Sequence, residues 1–156
     1  VIHMTKGSEE DLRELAQRGI PVGVCPRANS AYGLDLPLAR MIDEGLMVAL
    51  GTDNAMSVKQ DMFREMESAW LKMRKHGCSG FEASRIVFEL AVGMGIRESS
   101  FLDMLRPWTP WWSSDWPGRG EIAHLFVIGT HGEKVKDPIS DVVRFRGPED
   151  VVWSGP

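Results

Sequence analysis

Along residues 1–50 the hydrophobic positions alternate between short continuous runs and stretches at helical spacing. Val1 to Thr5, with Val, Ile and Met, predicts a strand, and Lys6-Gly7 turns the chain. Ser8 precedes Glu9, Glu10 and Asp11. Its hydroxyl can accept from the free amides of a first helical turn, and the acids suit the positive end of the helix dipole. Leu12, Leu15 and Ala16 then recur at helical spacing, and Gly19 predicts the stop.

The same unit follows again. Ile20 to Cys25 predicts a second strand, Pro26 to Leu36 a loop rich in Asn, Ser, Gly and Asp, and Pro37 to Glu44 a helix that Gly45 ends. Leu46 to Leu50 is apolar at every position, which predicts a third strand buried on both faces. Strands separated by single helices imply right-handed crossovers and a parallel sheet, hence an α/β fold.

Past Gly51-Thr52-Asp53-Asn54 the period becomes helical for longer. A helix is predicted over roughly Val58 to His76, with Met62, Met66, Ala69, Trp70 and Met73 on one apolar stripe. Gly77 to Gly80 breaks it, and Phe81 to Met94 predicts another, with Ala83, Ile86, Val87, Leu90 and Ala91 inward. Trp108, Trp111, Trp112 and Trp116 then crowd a segment whose Pro107, Pro110 and Pro117 exclude a regular helix. Two uses fit those rings: burial between two parts of the fold, or a lid or subunit contact. Beyond them, His124 to Ile128, Val142 to Phe145 and Val151 to Trp153 predict short strands. The chain therefore divides into residues 1–106, a Trp/Pro-rich connection at 107–120, and a β-rich part at 121–156.

Composition narrows the classes without naming a function. The chain has 156 residues, 43% hydrophobic and 26% charged, in the range of an ordinary globular domain and short of the roughly 250 residues of a complete (β/α)8 barrel. A net charge of -4 without long like-charge blocks argues against a nucleic-acid or anionic-membrane partner. No run reaches the roughly 18 apolar residues of a membrane span. Cys25 and Cys78 cannot build a disulfide framework, so a reducing cytoplasm is expected. The chain opens on Val1, inside a predicted strand, and an upstream portion is expected.

In a parallel α/β sheet, ligands gather at the carboxyl ends of the strands. The first predicted strand carries His3, the second ends in Cys25-Pro26-Arg27-Ala28-Asn29, and the third ends in Gly51-Thr52-Asp53-Asn54. One rim thus collects an imidazole, an amide and a carboxylate. A carboxylate can bind a divalent ion and take a proton from its water, and an imidazole can hold the nucleophile or polarise a substrate. Taken singly, His3 also reads as a structural histidine, Asp53 as a cap and Asn29 as a turn residue. Cys25 reads as an inert buried thiol for want of a base, and the methionine stripe as helix core.

Val1-Ile2-His3, Cys25-Pro26-Arg27-Ala28-Asn29, Leu50-Gly51-Thr52-Asp53-Asn54 and Asp61-Met62-Phe63-Arg64-Glu65-Met66 resemble the later part of the amidohydrolase superfamily. The nearest branch is the cytosine-deaminase and chlorohydrolase-like aminohydrolases, and Gly120 to Ile128 is similar to that family's return into its small β-domain. The resemblance implies the C-terminal part of a TIM (β/α)8 barrel, with strands six to eight at Val1–Thr5, Ile20–Cys25 and Leu46–Gly51 and helices following them, plus part of a small β-sandwich domain. It implies Asp53 as metal ligand and proton shuttle, His3 as the catalytic imidazole on water or substrate, and Asn29 in the loop beside the ligand. It further implies one divalent ion, zinc or iron, in the complete enzyme, and hydroxide attack on a heterocycle carbon that bears an amino or chloro group.

The family's His-x-His pair and its strand-five histidine have no counterpart in this sequence, and His76, His124 and His131 do not replace them. Ala28 stands where Ser is common, and His124 where the family has Asp. The fragment alone is therefore expected to be inactive and not to hold the metal. Its expected partners are a small heterocyclic substrate and the missing N-terminal half of the barrel, with a homo-oligomer left open. The competing expectation is a non-catalytic remnant, or an interaction subunit that completes a barrel with another chain.

Overall fold

A computed structural model describes residues 1–91 and 125–155. The Trp/Pro-rich connection, and with it Trp108 to Trp116 and His124, lies outside the described residues. The elements in chain order are α1 (Glu9–Gln17), β1 (Val22–Val24), α2 (Pro26–Ala31), α3 (Leu38–Asp43), β2 (Val48–Leu50), α4 (Met62–Lys75), α5 (Gly80–Ala91), β3 (Leu125–Ile128), α6 (Pro138–Phe145) and β4 (Val151–Gly155), with a 3-10 turn over Pro148–Asp150 before β4. Among the described residues, no helix is long and apolar enough to cross a membrane.

The chain is α/β. β1 and β2 pair in parallel with Val22 opposite Val48 and Val24 opposite Leu50, and Ile2 bridges Gly23 in parallel on the other side of β1. The first predicted strand is thus shorter than Val1 to Thr5. It makes two ladder bonds, from the Gly23 amide to the Val1 carbonyl at 2.8 Å and from the His3 amide to the Gly23 carbonyl at 2.7 Å. His3 and Met4 then take left-handed backbone (φ 71° and 51°), which ends extension. Val22, Val24, Val48 and Leu50 are buried, and Ala49 is half-buried.

Helix ends follow their local chemistry. Ser8 Oγ accepts the Asp11 amide at 3.1 Å while Asp11 Oδ2 accepts the Ser8 amide at 2.8 Å, a reciprocal capping box. After α1, Gly19 (φ 62°) donates to Ala16 and Ile20 donates to Leu15; after α3, Gly45 (φ 74°) donates to Ile42 and Leu46 to Met41. Both closures send the chain straight from helix into strand. α4 begins at Met62, later than its apolar period suggests, because Asp61 caps it by accepting the Arg64 amide at 3.2 Å.

Two expectations are corrected. Pro26 to Leu36 is not all loop: Pro26–Ala31 is helical, with Pro26 in the first turn and the Asn29 amide donating to the Cys25 carbonyl at 3.0 Å. Proline is pre-set for that position, and of the polar residues that suggested a loop Asn29 is the one that meets His3. Val142 to Phe145 is not a strand but the end of α6, which Pro138 starts and on which Ile139, Val142 and Val143 fall on one face. β3 and β4 do pair, antiparallel, with an irregularity between Val127 and Ile128.

One core joins these elements. Leu12 of α1, the four strand residues, Leu38 and Met41 of α3, Met66, Ala69 and Met73 of α4, and Val87 and Leu90 of α5 are all buried in it. Val143 belongs to the same cluster, and α6 packs against both α4 and α5.

Candidate functional site

The carboxyl ends of the three parallel segments converge. His3 stands where the first segment leaves the ladder, Asn29 in α2 after β1, and Asp53 three residues beyond β2. Asp53 has a left-handed backbone (φ 58°), a conformation that short polar side chains tolerate. Its Oδ1 accepts the Asn54 amide at 2.7 Å, and Gln60 Nε2 donates to its carbonyl at 3.0 Å. Both bonds fix the loop and leave Oδ2 turned to His3 Nε2, 3.7 Å away. On the other side of the ring, Asn29 Nδ2 lies 3.2 Å from His3 Nδ1. The three residues singled out in the sequence therefore form one chain of contacts, amide to imidazole to carboxylate.

The proton arrangement follows from valence. With the Asn29 amide donating to Nδ1, a neutral His3 carries its proton on Nε2 and presents it to the Asp53 carboxylate. Asn29 is buried, and its Oδ1 has no hydrogen-bond partner.

Two further residues lie beneath this rim, and sequence reasoning gave neither a role there. The Cys25 thiol is buried; its sulfur, a His3 nitrogen and an Asp53 carboxylate oxygen all lie within 4.8 Å of one another. Burial, and then the negative charge of Asp53, push the thiol pKa up, while the Asp53 amide hydrogen bond to it acts the other way. Glu65 of α4 has no exposed surface; its Oε2 accepts the Arg27 amide at 3.0 Å and its Oε1 lies 3.7 Å from Arg27 Nη1. Burial raises its pKa above the ordinary carboxylate value. Arg27 also donates to the Lys59 carbonyl at 2.9 Å, so one side chain ties α2 to α4 and to the loop after β2. The signal for Glu65 was an acid inside the apolar stripe of α4, one position before Met66.

The other histidines lie elsewhere. His76 caps α4 and pairs with Asp43 at 3.4 Å, and His131 pairs with Asp150 at 2.6 Å.

The donor set suits a divalent transition metal. Ligand atoms about 2.0–2.3 Å from a tetrahedral zinc stand roughly 3.3–3.8 Å apart, so sulfur, nitrogen and oxygen within 4.8 Å of one another need only draw in by about an ångström. Imidazole, thiolate and carboxylate are all recognised zinc ligands.

No family model matches the chain. Individual relatives do: over part of its length the chain is similar to proteins named as an aminohydrolase and as adenosine-type deaminases, which belong to the amidohydrolase superfamily. A Methanothermobacter thermautotrophicus protein that carries an aminohydrolase name is 40% identical over 80 residues, 51% of this chain and 20% of that protein. A 5-methylthioadenosine/S-adenosylhomocysteine deaminase of Teredinibacter turnerae is 43% identical over 72 residues, 45% of this chain and 16% of the relative. A 5'-deoxyadenosine deaminase of Methanothrix thermoacetophila is 33% identical across 63% of this chain and 28% of its own length. The matched stretches thus span about a sixth to a quarter of these relatives.

Proposed function

We propose that this chain is the C-terminal portion of a metal-dependent hydrolase that deaminates an amino-substituted heterocycle. The observation that carries the reading is the convergence of Asn29, His3 and Asp53 from three successive strand ends, at 3.2 and 3.7 Å. Support comes from relatives named as deaminases of methylthioadenosine, deoxyadenosine and isoxanthopterin, all amino-bearing rings. On this reading the three parallel segments are strands six to eight of a TIM barrel whose remaining strands another stretch of chain supplies.

In the reaction, Asp53 would help to hold a divalent zinc or iron ion. When bound, that ion would lower the pKa of a water molecule towards neutrality. Asp53 accepts the proton of the attacking water and passes it to the departing amino group, which leaves as ammonia. His3 orients the water or the ring substituent through Nε2, and Asn29 holds the imidazole by its other nitrogen. Beneath them, the Glu65 and Arg27 contact keeps the start of α2 in place.

Combining the chain with the N-terminal barrel portion of a relative, and following ammonia release from 5'-deoxyadenosine, methylthioadenosine and isoxanthopterin, tests the reading. The combined protein should turn over at least one of them, and Asp53→Asn should abolish turnover with circular dichroism unchanged. Near-normal activity of Asp53→Asn would remove the assigned role. A well-folded combination that releases no ammonia from any of the three would favour the non-catalytic module.

A further inference from the structure

We propose that Glu65 is a positioning residue for His3: from α4 it caps the start of α2 and so fixes Asn29 against the imidazole. The consequence for turnover rests on the deaminase reading, whereas the contact itself is read in this chain alone.

α2 cannot hold itself in place. Its six residues make less than two turns, well short of what an isolated helix needs. Cys25, at its N-cap, makes no side-chain cap bond, and Pro26 has no amide hydrogen. The Arg27 amide is the first donor of the helix, and Glu65 Oε2 accepts it at 3.0 Å. A carboxylate also answers the positive end of the helix dipole. α1 takes its cap from Ser8 and α4 from Asp61, each the residue just before the helix, whereas α2 takes one from a residue 38 positions away.

Glu65 is a firm support for that bond. It lies in the first turn of a helix of 14 residues, its own amide donates to the Asp61 carbonyl at 3.1 Å, and Met66, Ala69 and Met73 of the same helix are buried in the core. Two residues beyond Arg27, Asn29 brings Nδ2 to 3.2 Å from His3 Nδ1. Arg27 reaches towards the other side of the ring as well. Its guanidinium lies 3.7 Å from Glu65 Oε1 and donates to the Lys59 carbonyl at 2.9 Å, and the next residue, Gln60, donates to the Asp53 carbonyl at 3.0 Å. Asp53 Oδ2 in turn faces His3 Nε2 at 3.7 Å. One carboxylate thus stands behind both neighbours of the imidazole.

Stability does not ask for an acid at this position. An apolar side chain would join Met66, Ala69 and Met73 in the core, whereas Glu65 is buried with Oε1 left without a hydrogen-bond partner. Exchanging buried ionic groups for well-packed apolar ones is often neutral or stabilising. With no exposed surface, Glu65 touches neither substrate nor its water, so it acts on the rim through α2 and Arg27.

Nuclear magnetic resonance on the chain tests the contact. In the parent, the Asn29 side-chain amide should give a cross-peak to the His3 ring and exchange slowly with solvent. Glu65→Met should weaken the cross-peak and speed that exchange at least about tenfold while the pairing of Val22 with Val48 and Val24 with Leu50 persists. Glu65→Gln keeps an acceptor for the Arg27 amide and should restore both signals. In the chain combined with a relative's N-terminal barrel portion, kcat on a substrate it deaminates should fall about tenfold in Glu65→Met and recover in Glu65→Gln, with KM little changed. Should Glu65→Met fail to fold, Glu65→Asp withdraws the acceptor by one methylene and should give the same loss. Absence of the cross-peak in the parent, an Asn29 contact unaltered in folded Glu65→Met or Glu65→Asp, or a Glu65→Gln chain that loses the contact as Glu65→Met does, overturns the proposal. A combined protein that releases no ammonia counts against the deaminase reading, and the Asn29 contact still decides the role of Glu65.

Discussion

Glu65 shows how much one buried charge can do to a small fold. A carboxylate with no exposed surface loses hydration that one amide bond and an arginine 3.7 Å away only partly replace, and its Oε1 has no hydrogen-bond partner. Its folded pKa lies above the ordinary value of 4.5, with burial as the main cause. Between 4.5 and the raised value the folded chain binds more protons than the unfolded one, so this residue's contribution to stability falls as pH rises through that window. Glu65→Gln keeps an acceptor for the Arg27 amide and cannot ionise. Its denaturation midpoint, relative to the parent chain, should rise as pH is taken from 4.5 to neutrality; a difference that does not change with pH would place the penalty elsewhere. Of the residues at the site, His3, Asn29 and Asp53 were legible because each is a polar group just after a short apolar run, and strand direction alone puts such groups on one rim. Cys25 was set aside as inert because a thiol's neighbours come from other strands, and spacing along the chain does not reveal them.

At the scale of elements, boundaries written in local chemistry were readable. Ser8 with Asp11, and the glycines after α1 and α3, mark helix ends through bonds made within a few residues. Elements decided by long-range packing were not. α2 is only six residues and owes its order to Pro26, Ala28 and Asn29 being buried, and α6 hid behind a Val-Val pair that suits strand and helix alike. The closure after α3 offers a clean measurement of the local part. Gly45 sits at φ 74°, and a Cβ there would meet no atom within 4 Å, so any cost of a side chain is conformational. Gly45→Ala should destabilise the chain by about 1–2 kcal/mol in urea unfolding, and Gly45→Asn by less, since asparagine enters the left-handed region more readily. Equal losses for the two would mean that the turn is not what the substitution disturbs.

For the whole molecule, the decisive contact is one that crosses the Trp/Pro-rich connection. Composition set residues 121–156 apart, yet α6 lies against α4 and α5, and Val143 is buried in the same cluster as the strand valines. A helix that contributes to a shared core unfolds with it, whereas an appended module opens at lower free energy. α4 carries Glu65, which holds the start of α2 through the Arg27 amide, so support for the rim passes from α6 through α4 to the segment that bears Cys25 and Asn29. Val143→Ala removes two buried carbons and leaves a gap beside α5, worth about 2 kcal/mol from transfer and cavity terms together. Amide hydrogen exchange distinguishes the two arrangements. With a shared core, the substitution lowers protection in α4, α5 and the β1–β2 ladder by the same free energy as in α6. Loss of protection confined to α6 and the β3–β4 hairpin would make residues 125–155 a separate unit, and the rim would then owe nothing to them.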